Sequence, residues 1–145
     1  MSRVQVNSGF KVMAIDDDPY MLEIAVRLLE QHGHKVTPVN DAKTALFLVP
    51  QVAPDVILLD ISMPVMDGFA FLKEIKNKPR WNRVPIFMMT GNMDRESVQT
   101  ALNLGAVDYL TKPVDPVRLM ARLDKLLKAR QQEEAHRGIA WGDRD

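Results

Sequence analysis

The run Val56-Ile57-Leu58-Leu59 is apolar at every position and ends on a lone carboxylate, Asp60. A strand with no polar face must be covered on both sides, and such strands belong to parallel sheets flanked by helices. Two more runs share this character, Val12-Met13-Ala14-Ile15 and Ile86 to Met89. Lys35 to Val39 and Val107 to Leu110 are different. The first carries Pro38, which cannot donate to a ladder, and the second alternates apolar with polar. Both read as edge strands.

Segments of helical period separate the five runs. Asp18-Pro19 reads as an N-cap followed by proline at the first helical position, with Leu22, Ala25, Val26 and Leu29 inward and Gly33 as a stop. Asp41 caps a helix bearing Ala45, Leu46 and Val49, expected to close at Pro50. Asp67-Gly68 opens a third with Phe71, Leu72 and Ile75, expected to end at Lys78-Pro79. Asp94 caps a fourth with Val98, Ala101 and Leu102, and Gly105 follows its end. Asp115-Pro116 starts a fifth whose stripe is Leu119, Met120, Leu123, Leu126 and Leu127.

Five strands alternating with five helices predict an α/β chain with a doubly wound parallel sheet. Three central and two edge strands fit the order 2-1-3-4-5. The ligand site of such a sheet lies at the carboxyl ends of the strands beside the switch point. The domain is expected over residues 10–129, after a tail at 1–9. A polar C-terminal extension or linker follows at 130–145.

Composition narrows the chemistry. The 145 residues suit one domain, and 19 basic residues balance 19 acidic ones, so nothing points to direct nucleic-acid binding or to a membrane surface. No run has the length of a membrane span or the form of a signal peptide, and the expected location is the cytoplasm. Cysteine is absent, which excludes disulfides and thiolate metal sites. His32, His34 and His136 have no partners at ligand spacing and read as surface residues. The nine methionines read as core filler.

The sheet order gathers the reactive residues. Asp16, Asp17 and Asp18 follow the first strand, Asp60 ends the third, Thr90 ends the fourth and Lys112 follows the fifth. Taken singly, each has a plain structural explanation: a helix cap, a turn, a strand-end hydroxyl, a solvated lysine. Their conjunction at one end of four strands is what points to chemistry. Crowded carboxylates call for a cation, and an oxygen-only donor set suits Mg²⁺ (or Mn²⁺). A carboxylate beside Mg²⁺ and lysine can serve as a nucleophile toward phosphorus. Lys112 would then neutralise charge on the transferring group, and Thr90 would donate to one of its oxygens.

The groups IDDDP, LLDISMPVMDG, MMTG and DYLTKP, in this order and spacing, resemble the receiver domain of two-component response regulators over about Phe10 to Lys128. The resemblance implies a flavodoxin-like fold and a signalling domain that catalyses only its own phosphorylation and dephosphorylation. It implies Asp60 as phospho-acceptor and Asp17 as direct metal ligand, with Asp16 as the second acid. The Ser62 carbonyl is a further ligand, and Thr90 and Lys112 are the phosphate-sensing pair. A cis Lys112-Pro113 bond and Tyr109 as the switch aromatic also follow from it, and Asp18 stays a helix cap. Ser62 and Asn92 stand at positions that tune phosphoryl lifetime, and Gly91 replaces a frequent alanine.

The implied partners are a sensor histidine kinase or histidine phosphotransfer protein and a downstream effector protein or domain. The contact face would be the fourth helix, fifth strand and fifth helix. A phosphorylation-dependent homodimer is allowed, with Asp108 and Arg122 as a weak part of its face. The chain reads either as a stand-alone regulator or as the N-terminal part of a longer one. Two alternatives stand beside this. A metal-dependent phosphohydrolase of haloacid dehalogenase type would use Asp16 and Asp18, but it has Tyr20 where its motif wants Thr or Val and leaves Asp60 unexplained. A receiver-like module that is never phosphorylated would normally have lost an acid, the threonine or the lysine.

Overall fold

The computed structural model describes residues 9–91 and 94–136. The tail at 1–8, Asn92, Met93 and the final segment from 137 lie outside the described residues, as do the side chains of Leu127 and of residues 134–136. The elements run β1 (Lys11–Ile15), α1 (Pro19–Gln31), β2 (Lys35–Val39), α2 (Ala42–Val52), β3 (Val56–Asp60), α3 (Gly68–Lys76), β4 (Ile86–Thr90), α4 (Arg95–Asn103), β5 (Asp108–Thr111) and α5 (Pro116–His136). The five strands form one parallel sheet in the order β2-β1-β3-β4-β5. Two compact units divide the chain, up to Val114 and from Asp115 onward.

The burial pattern follows the apolar runs. β3 and β4 are buried at every position, whereas β2 buries only Val39 and β5 only Leu110. Residues of one strand parity, among them Met13, Ile15, Ile57, Leu59, Ile86 and Met88, form a core with Ala45 and Val49 of α2, Phe71, Leu72 and Ile75 of α3, and Ala101 of α4. The opposite parity, Val12, Ala14, Val56, Leu58 and Phe87, is also buried. Helices therefore cover both faces, with α1 packed on β1 and β2. In the second unit α5 buries Leu119, Met120 and Leu123 and continues as a polar helix to His136.

Aspartate opens all five helices, Asp115 of α5 accepting the Val117 N–H at 2.9 Å. Asp18, Asp41, Asp67 and Asp94 accept backbone N–H groups from Tyr20, Thr44, Ala70 and Ser97, satisfying donors that the first turn leaves without partners. Two boundaries differ from expectation. α2 continues through Pro50 to Val52, because a proline this near the end forfeits one backbone bond while Ala53 N–H still reaches Val49 O at 2.8 Å. α3 stops at Lys76, where Asn77 caps it before the proline is reached.

His34 is a correction: it is buried, not on the surface. Its Nδ1 accepts the Phe10 N–H at 2.9 Å, and its ring stacks on Phe10 with centroids 5.8 Å apart. An isolated histidine looks solvated in a sequence, but here it supplies the acceptor for a backbone donor at the mouth of β1.

Candidate functional site

Parallel register brings four strand ends level. Ile15 lies opposite Leu59, Asp60 opposite Met89 and Thr90 opposite Thr111. The ladder extends one step further through Ile61 N–H to Met89 O at 3.1 Å and Lys112 N–H to Thr90 O at 2.8 Å. These bonds place the backbones of Asp60 and Lys112 at the same edge, one on each side of β4.

Gly68 sets the floor of this edge. Its N–H donates to Ile61 O at 2.8 Å, and a Cβ there would lie 2.4 Å from Asp60 O. Only glycine lets the start of α3 approach the end of β3 so closely. The intervening loop carries Val65 at φ 69°, a left-handed value that a β-branched residue seldom adopts.

Asp16 and Asp60 are buried, as is Thr90, while Asp17 and Ser62 are exposed. Lys112 Nζ lies 2.8 Å from Asp16 Oδ2 and 3.1 Å from Asp60 Oδ1. One ammonium therefore serves two buried acids. Asp16 Oδ1 accepts Asp18 N–H at 3.0 Å, whereas Oδ2 has the lysine close by but no aligned hydrogen-bond donor. Burial and the neighbouring Asp16 charge push the Asp60 carboxyl up to about 6, against the opposing pull of Lys112 and of the Ser62 backbone N–H. Burial by itself would lower the Lys112 pKa, but its contacts with Asp16 and Asp60 outweigh that and raise it.

One oxygen from each of Asp16, Asp17 and Asp60 falls within a span of 4.8 Å. Three carboxylates against one lysine leave excess negative charge, and the Asp16 oxygen lacks an aligned donor. An all-oxygen set of this kind fits a hard divalent cation such as Mg²⁺.

Tyr109 is half-buried beside Met88 and packs against the main core; its N–H donates to Asp108 Oδ1 at 2.8 Å. The Lys112–Pro113 peptide is cis. Asp18 caps α1 through Tyr20 N–H. The structure thus brings together Asp16, Asp17, Asp60 and Lys112, with Thr90 on the adjoining strand end. Asn92 lies outside the described residues. The shared lysine contact was not foreseen from the sequence, and its only signal was the level ending of β1, β3 and β5. Among the described residues, no helix is long and apolar enough to cross a membrane.

Comparison with known proteins agrees with this geometry. Residues 12–124 match the response regulator receiver domain. The chain is 36% identical over 122 residues to response regulator PleD of Caulobacter vibrioides, covering 81% of this chain and 26% of PleD. It is 35% identical over 117 residues to an uncharacterised 14.6 kDa protein of Leptolyngbya boryana, covering 81% of this chain and 89% of that one. The chain therefore spans most of one relative and about a quarter of the other. Among solved structures, the chemotaxis protein CheY4 of Vibrio cholerae superposes with a TM-score of 0.77 at 32% identity, covering 81% of this chain and 98% of CheY4. No finding favours the phosphohydrolase alternative. With its family motif spanning most of the folded chain and its acid–lysine cluster at the carboxyl edge, this chain belongs to the response regulator receiver domain family.

Proposed function

We propose that this chain accepts a phosphoryl group on Asp60 from a histidine kinase or a histidine phosphotransfer protein. The observation that carries the reading is the shared ion contact of Lys112 with Asp16 and Asp60. Asp16, Asp17, Asp60 and the Ser62 carbonyl would hold Mg²⁺. Such an ion supplies charge neutralisation beside the attacking carboxylate.

Asp60 acts as the nucleophile: a carboxylate oxygen bonds to phosphorus as the donor's bond to that phosphorus breaks. Lys112, drawn toward the incoming oxygens, stabilises the charge they carry. The Thr90 hydroxyl donates to one of them. Formation of the acyl phosphate weakens the hold of Asp60 on Lys112, and the threonine shifts toward the phosphoryl group. Tyr109 on β5 follows, altering the face that meets a partner; the physical content is a two-state element biased by a local change of charge. Asn92 and Ser62 tune the lifetime of the phosphoryl group. The protein acts as a cytoplasmic signalling domain, and its output passes to an effector protein or to a domain of a longer chain.

Intact mass after incubation with Mg²⁺ and acetyl phosphate tests this. One added phosphoryl group, lost in Asp60→Asn and without Mg²⁺, is expected. No adduct in the wild-type protein, together with no binding of beryllofluoride, would overturn it.

A further inference from the structure

The loop from Ser62 to Asp67, SMPVMD, joins the end of β3 to the start of α3 and is closed at its base. Ile61 N–H donates to Met89 O at 3.1 Å, and Ile61 O accepts the Gly68 N–H at 2.8 Å, so one residue ties both ends to the sheet. Ile61 and Met63 are buried, and Met66 packs against the core. The Pro64 ring fixes its own φ. These anchors leave the tip, Val65, to absorb whatever the closure demands.

Across that tip Met66 N–H donates to Pro64 O at 2.8 Å, with Val65 at φ 69°. A three-residue turn of positive φ is the rare and strained kind of γ-turn, and a β-branched side chain fits it poorly. The side chain has no packing to offset this, since Val65 is 93% exposed. Strain of this kind persists where the surroundings impose it. Here the clamps on either side do so, not contacts of Val65 itself. Relaxation also has room. An open cleft of about 600 Å³ adjoins the loop, lined by Ser62, Met63, Pro64 and Asp67, with Phe69 of α3 and Ser97 of α4.

We propose that residues 62–67 form a strained clasp with two states. One is the observed γ-turn; in the other the Met66–Pro64 bond is broken, Val65 has left the left-handed region and the loop leans into the cleft. The clasp is coupled to the buried acid beside it, because the Ser62 backbone N–H donates to the Asp60 carboxylate. A charged acceptor makes that bond strong and holds the strained state. Neutralising Asp60 weakens it and shifts the population toward the relaxed state. On the function proposed above, phosphoryl transfer to Asp60 is such a neutralisation, and this last step alone rests on that reading.

Amide relaxation dispersion on the full, metal-free chain at neutral pH tests the clasp, on the microsecond-to-millisecond scale of local opening. A loop that moves merely because it is exposed becomes more mobile with glycine, whereas a strained one becomes quieter. Exchange at the Ser62 and Met66 amides should therefore fall several-fold from wild type through Val65→Ala to Val65→Gly, and it should rise in Asp60→Asn. No exchange at these amides in either wild type or Asp60→Asn overturns the proposal, as does exchange undiminished in Val65→Gly. Exchange that responds to Val65→Gly but not to Asp60→Asn overturns the coupling to the acid. Phosphoryl uptake is read separately by intact mass, so its failure would leave the clasp standing and remove only its proposed trigger.

Discussion

At the amino end of the sheet, Asp55 is buried and accepts the Lys11 N–H at 2.9 Å, while Asp55 N–H returns a bond to Lys11 O at 2.7 Å. At the carboxyl end, Asp16 and Asp60 are equally buried but share one lysine, and an Asp16 oxygen has no aligned donor. The first carboxylate is paired with the backbone and serves to join β1 to the loop before β3. The second pair is held in mutual repulsion. Buried polar groups that are fully paired stabilise a fold, and those left short of partners are where a ligand or a reaction has something to gain. The same residue type in the same sheet thus does opposite work at its two ends.

The largest test removes the shared cation. Lys112→Ala should destabilise the protein by about 3 kcal/mol or more in urea melts, because two buried carboxylates lose their counter-charge. Mg²⁺ should recover part of that loss. If it recovers none, the carboxyl edge is no cation site. At the other end, Asp55→Ala should cost about 2 kcal/mol by leaving the Lys11 N–H without its acceptor. Mg²⁺ should not change that figure, and equal rescue of both variants would erase the contrast.

Asp60→Asn should act in the reverse sense and stabilise the metal-free protein at neutral pH by about 1–2 kcal/mol, through relief of repulsion with Asp16. The sign follows from a carboxyl raised from 3.8 to about 6 in the folded state. Between these values the folded protein binds a proton that the unfolded chain has released, so the penalty of the Asp60 charge grows as pH rises and is complete above about 6. The gain from asparagine should therefore vanish below 3.8, as read from denaturant midpoints across pH. The smallest effect belongs to an ordinary cap. Asp41→Ala should cost about 1 kcal/mol. The Thr44 backbone N–H, aided by its hydroxyl, lowers the Asp41 pKa, so this contribution is present at neutral pH and fades as pH falls through the carboxylate range. A change at Asp41 that altered phosphoryl uptake would break the separation of scaffold from site.

Much of this molecule is legible in one dimension. The continuous apolar runs of β1, β3 and β4 demanded burial on both faces, and Pro38 in β2 marked an edge, which together left few sheet orders open. Aspartates at all five helix starts were readable because capping is local chemistry within three residues. The gathering of Asp16, Asp60, Thr90 and Lys112 followed from strand order alone, since parallel strands end level.

Contacts across strands decided the rest. His34 read as a surface residue, and its burial, like that of Asp55, goes with backbone donors of Phe10 and Lys11 that are distant in sequence. Proline at position 50 looked like a helix end, yet α2 keeps its last turn because only one bond is lost. That one lysine is shared between two acids, or that the Lys76 stem lies over Gly105, is a matter of side-chain reach across a finished fold. Local pattern specifies which elements form and which residues face inward. Distances between side chains from separate elements, and the charges they carry as a result, exist only once those elements have packed.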